Sequence, residues 1–169
     1  MKTISSVKII CLILCIAFFF ASCVHAGVIS GREPKSGVNV LNLDNSEGEF
    51  DAVAVLVEEG WPNPICSIFI PAGGSYTLDK VPTGSYEIYY LLGEGWNSKK
   101  KTFTNLEKMG KIAQPIIMDT SYANWEDASY DGLWVNWESD YTIYTFILNE
   151  VLGGDIPLED VDKDDFPKL

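Results

Sequence analysis

From residue 38 onward the chain is a series of short apolar runs, several of them alternating with polar residues, each closed by turn formers. A period of two over five to eight residues predicts strands, not helices. Residues 38–43 (VNVLNL) form a first predicted strand, ended by Asp44-Asn45-Ser46. Residues 50–57 (FDAVAVLV) form a second, with Val53, Val55 and Val57 on one face. Residues 65–70 (ICSIFI) follow, closed by Pro71-Ala72-Gly73-Gly74, then 75–78. Pro82-Thr83-Gly84 turns the chain into 86–92, where Tyr86, Ile88, Tyr90 and Leu92 share a face. Proline presets φ and glycine accepts the left-handed region, so this punctuation has a physical basis.

The pattern then weakens. Over 99–114, Leu106, Met109 and Ile112 recur at helical spacing and predict one side of a short helix, although Gly110 opposes it. Residues 115–118 predict another short strand. Residues 121–137 mix turn formers with aromatics and read as an ordered loop. Residues 141–148 (YTIYTFIL) are a strong final strand, rich in β-branched and aromatic side chains. Many short strands with little helix predict an all-β fold, an antiparallel β-sandwich with at most one short helix.

The first 26 residues follow different rules. Lys2 and Lys8 precede the apolar run 9–20 (IICLILCIAFFF), the pattern of an export signal. As a helix the run would rise about 18 Å, short of the ~30 Å needed to span a bilayer. Two endings stay open. Val24-His25-Ala26 predicts ordinary cleavage before Gly27, whereas Phe20-Ala21-Ser22-Cys23 resembles a lipobox with Cys23 as the lipid attachment residue. Either one places the domain outside the cytoplasm, secreted or anchored, with membrane contact only through the leader or a lipid on Cys23. The expected organisation is a signal over 1–26, a flexible lead-in over 27–37, the sandwich over 38–152, and an acidic tail over 153–169 packed on it.

Composition narrows the chemistry. The 169 residues carry 24 acidic and 12 basic side chains, a net charge of −12. Removing Lys2 and Lys8 leaves 10 basic against 24 acidic, or −14, which excludes a nucleic-acid partner because that needs clustered cations. Three of the 4 cysteines lie in the leader, so Cys66 stands alone and no intrachain disulfide is available to the exported domain. In its apolar strand Cys66 reads as a buried, inert thiol. The one histidine, His25, borders the leader, which removes Ser-His-Asp and Cys-His catalysis and histidine-based zinc sites. Gly93-Glu94-Gly95 lacks the rest of a dinucleotide fingerprint, and no P-loop lysine motif occurs. No catalytic residue and no cofactor is expected.

Binding residues are easier to nominate. Trp96, Trp125, Trp134 and Trp137 fall in or near predicted loops, where rigid rings stack on glycans, anchor a protein partner or pack into the core. Glu126-Asp127, Glu138 and Asp140 among them are compatible with a sugar cleft, or with mere solubilisation of an aromatic loop. Asp160, Asp162 and Asp164 echo the start of a calcium loop. However, Asp165 stands where that loop needs glycine, and the chain ends before its final glutamate.

Residues 69–78 (FIPAGGSYTL) followed by 81–90 (VPTGSYEIYY) resemble the strand, Pro-x-Gly-x-Tyr turn and strand of transthyretin-like and carboxypeptidase-regulatory-like β-sandwiches. Gly93-Glu94-Gly95-Trp96, Lys101-Thr102-Phe103, Gly153-Gly154 and Asp164-Asp165-Phe166-Pro167 look more specifically like a group of small exported prokaryotic domains of unknown function. The resemblance covers 50–103 and 140–167. It implies a prealbumin-like or Ig-like sandwich with a display, adhesion or accessory role. The expected function is therefore non-catalytic binding at the cell surface, toward a protein or a glycan. A carbohydrate-binding module using the loop tryptophans and a subunit of an extracellular assembly are the alternatives.

Overall fold

A computed structural model describes residues 25–122, 139–148 and 158–169. Every regular element among them is a strand: β1 (Gly27–Gly31), β2 (Asn39–Asn45), β3 (Asp51–Glu58), β4 (Pro64–Ile70), β5 (Gly74–Val81), β6 (Gly84–Glu94), β7 (Asn105–Ile112), β8 (Ile116–Met118), β9 (Thr120–Tyr122), β10 (Ser139–Tyr141), β11 (Ile143–Ile147) and β12 (Leu158–Asp160). The main sheet runs β1-β4-β3-β6-β7-β12, with β8 continuing beside β6, and a smaller sheet runs β11-β2-β5. A two-stranded ladder joins β9 to β10. Pairing is antiparallel except between β11 and β2, which run parallel.

The two sheets share one buried cluster, as expected of a β-sandwich. Leu41 and Leu43 of β2, Leu78 and Val81 of β5, and Phe146 of β11 meet Leu56, Ile68, Ile88 and Tyr90 of the main sheet. Here β2 alternates buried and half-buried positions over its whole length, so each second residue faces the other sheet.

The main sheet is buried on both faces. Along β3, Ala52, Ala54 and Leu56 face the shared cluster, while Val53, Val55 and Val57 join Phe69, Leu91 and Phe103 in a second cluster on the opposite face. That outer face is covered by the segment 95–104 and by Phe166 and Leu169 from the C-terminal segment. A strand covered on both faces reads as a continuous apolar run, and AVAVLV is one.

Several expectations need correction. No short helix forms over 99–114. Residues 105–112 are β7, hydrogen-bonded along the open edge of β6, and Leu106 is exposed while Ile112 is buried. Edge pairing with β6 outweighs a weak helical period interrupted by Gly110. The lead-in is not uniformly flexible, since 27–31 pair with β4 through a bulge at Val28/Ser30. Past β1, Gly37 N–H donates to Lys80 C=O (2.8 Å) and the Tyr76 hydroxyl bonds the Glu33 carboxylate. The strand expected over 141–148 breaks at Thr142 into the end of β10 and β11. Strands also lie beyond 38–152 on both sides, as β1 and β12. The leader with Cys23, and the stretch 123–138 with Trp125, Trp134 and Trp137, lie outside the described residues.

Candidate recognition surface

Strand directions give the molecule two ends. The last residue of β4, the first of β3 and the last of β6 meet at one end, where Gly27 pairs with Phe69. At the other end lie the start of β2, the start of β6, β8 and the β9–β10 ladder.

Asn39 organises that second end. It is fully buried, its Nδ2 donates to Val81 C=O (3.1 Å), and its Oδ1 accepts from Thr142 N–H (2.8 Å) and Thr120 Oγ1 (3.4 Å). One side chain thereby joins β2, the end of β5, β9 and the β10–β11 junction. Thr142 Oγ1 accepts from Asp119 N–H and donates to Asp119 C=O, both over distances near those of a normal bond at 3.0 and 2.8 Å.

Around this frame, large apolar side chains face solvent. Val38 precedes Asn39, and Tyr141 and Ile143 flank Thr142; all three are exposed. Trp61 lies just past β3 and is 64% exposed, as is Ile117 of β8. Their strands are linked, because Ser85 pairs with Ile117 and its C=O accepts from Glu59 N–H (2.9 Å). Five of the seven exposed large apolar residues among those described thus sit at one end, beside the ladder from which 123–138 leaves and returns. Exposed apolar side chains gathered at one end of a strand framework make that end the candidate recognition surface. The outward face of the small sheet adds a polar row across three strands, Thr145–Asn42–Thr77, with Thr77 Oγ1 to Asn42 Oδ1 at 2.8 Å. Ile143 and Ile147 border that row.

The residues nominated from sequence fare differently. Trp96 is half-buried, stacked on Phe69 and edge-on to Phe103, so its ring is committed to packing. Asp160 and Asp162 line a groove of about 420 Å³ with Tyr89, Lys111 and Asp165, and Asp164 is not part of it. Lys111 reaches Glu87 (3.7 Å) and Glu159 (3.8 Å) there, placing a cation among the carboxylates. Among the described residues no group of three or more His, Cys, Asp or Glu is placed to hold a metal ion. Cys66 is buried, and loss of solvation, reinforced by the Glu33 charge, pushes its thiol up to about 12. A thiol so protonated is a poor nucleophile.

Sequence reasoning overlooked Trp61 and Ile143. The Glu59-Gly60-Trp61-Pro62-Asn63 run was a readable signal for an aromatic at a turn. For Ile143 no such signal existed, because both faces of 143–148 are apolar and either could have been the buried one. The chain matches no family model, no curated protein and no solved structure.

Proposed function

We propose that this chain is an exported all-β domain, secreted or anchored through its leader or a lipid on Cys23, that binds a partner at the cell surface and does not catalyse a reaction. The observation carrying this reading is the collection of Val38, Trp61, Ile117, Tyr141 and Ile143 at the end opposite the leader's attachment to β1. An anchored domain with that geometry presents its apolar end away from the membrane. The β9–β10 ladder lies at the same end. The resemblance to transthyretin-like sandwiches supports a display role and leaves the partner open.

The test has two arms. Processing is read from the mass and N-terminus of the exported protein, and Cys23→Ala releases it from membranes if the lipid is the anchor. Recognition is read by probing glycan and protein arrays with the wild type and with Trp61→Ala/Ile143→Lys. The wild type is expected to mark a discrete set of spots that the variant loses while its melting temperature holds. Equal binding by the two proteins would refute the assignment.

A further inference from the structure

The basic side chains of this acidic chain are unevenly placed. Lys99, Lys100 and Lys101 form its one run of three cations, and they occupy the turn of the segment 95–104 that covers the outer face of the main sheet. That turn is fixed. Asn97 pairs with Thr102, and Asn97 Oδ1 accepts from the N–H groups of Lys99 (3.1 Å) and Lys100 (3.0 Å). Trp96 locks its base onto Phe69 and Phe103. Lys101 Nζ donates to Ser30 Oγ (3.1 Å), which places the turn on the β1 edge, and Arg32 follows at the end of that strand. Lys99 and Lys100 are exposed, and neither enters an ion pair among the described residues.

Position supplies the partner. Phe69, under Trp96, pairs with Gly27, and Cys23 lies four residues earlier, within at most about 14 Å of chain. At the leader-side end Glu47, Glu49 and Glu107 line, with Lys108, a cleft of about 470 Å³ reached from β2, β3 and β7, and Asp51 and Glu94 stand at the ends of β3 and β6, all on strands other than β1. Glu159 and Asp160 lie on β12 at the opposite edge of the sheet, and Asp162 and Asp165 line the groove beside Tyr89 and Lys111 on the outer face. Lys99, Lys100, Lys101 and Arg32 thus gather at the β1 edge, where the neighbouring Glu33 carboxylate is engaged by the Tyr76 hydroxyl.

We infer that the β1 edge, through Lys99, Lys100, Lys101 and Arg32, docks on the anionic headgroups of the membrane that holds the leader. This rests on the anchoring reading above and adds an orientation to it. Edge-on contact brings the cations to the surface, keeps the β12 acids and the Glu47–Glu49–Glu107 cleft off it, and leaves the apolar end free for a partner.

The full-length chain is reconstituted into vesicles of phosphatidylcholine alone and of phosphatidylcholine with phosphatidylglycerol. Flotation reads anchoring. Docking is read by acetylation of each lysine, quantified by mass spectrometry against Lys163 and Lys168. Lys99 and Lys100 are expected to acetylate about fivefold more slowly on the anionic vesicles, the factor given by ~1 kcal/mol of attraction per lysine. High salt should abolish the difference. In Lys99→Glu/Lys100→Glu, the salt-dependent protection of Lys101 should disappear while flotation is unchanged. Equal acetylation on both vesicles, with the chain floating, overturns docking and leaves anchoring standing. A chain that floats with neither overturns the anchoring reading and this proposal with it.

Discussion

Trp96 lies stacked on Phe69, with ring centroids 5.8 Å apart and 29° between the planes. Phe69 is itself buried against Val53 and Val55, so Trp96 closes the second hydrophobic cluster. Trp96→Ala should therefore lower stability by about 2 kcal/mol, below the full cost of a buried Trp because the ring is half-buried. Trp61→Ala, at an exposed turn, should stay within ~0.5 kcal/mol of the wild type. Urea unfolding of the two variants distinguishes these roles.

Asn39 holds together four elements by its side chain alone. Asn39→Ala leaves Thr142 N–H and Val81 C=O without these partners, and should cost about 1–3 kcal/mol. Hydrogen exchange at Thr142 should accelerate more than exchange in the middle of β3. Asn45, also buried, donates from Nδ2 to Phe50 C=O (2.9 Å) and Pro71 C=O (3.1 Å), and its replacement should loosen the opposite end instead.

The Cys66 thiol predicts a simple reagent test. With the thiol pushed up to about 12 by burial, the folded protein should not react with a disulfide reagent at neutral pH. One equivalent should react once urea unfolds the chain, after correction for any cysteine retained from the leader. Rapid reaction in the native state would show the site to be accessible.

Tyr76 couples the lead-in to pH. Its bond to Glu33 is the largest influence raising its phenol from an ordinary 10.0 to about 12, with burial adding to it. A raised folded-state value means that the bond's stabilisation is complete below pH 10 and disappears as pH climbs through about 12. Exchange of the Gly37 amide, bonded to Lys80 C=O, should quicken across that window. Tyr76→Phe should exchange faster at neutral pH and lose the dependence.

Much of this architecture was legible in the pattern, for identifiable reasons. AVAVLV announced a strand because both of its faces are buried, and Tyr86, Ile88, Tyr90 and Leu92 alternate because the intervening positions face another environment. β1 was hidden because only Val28 and Ile29 stand between glycine, serine and glycine; its pairing to β4 and the packing of those two side chains on opposite clusters hold it, with Gly31 at φ +74°. β7 looked helical because Leu106, Met109 and Ile112 fall three apart, and only the open edge of β6 decides the matter. The parallel register of β11 on β2 has no local signature, since strand direction is set by how the chain returns. The apolar end was half-readable. Aromatics singled out 121–137 in the sequence, but which apolar residues stay in water follows from the sheets, and Trp96 was drawn into the second cluster.

The central claim, a partner held at the Asn39 end, is tested most directly by hydroxyl-radical footprinting of the protein with and without a ligand captured on the arrays. The account predicts protection of Trp61, Ile117, Tyr141 and Ile143 on binding, with Trp96 and Phe103 unchanged. Protection confined to the β12 groove or to the 95–104 turn, with those four residues as reactive as in the free protein, would contradict it.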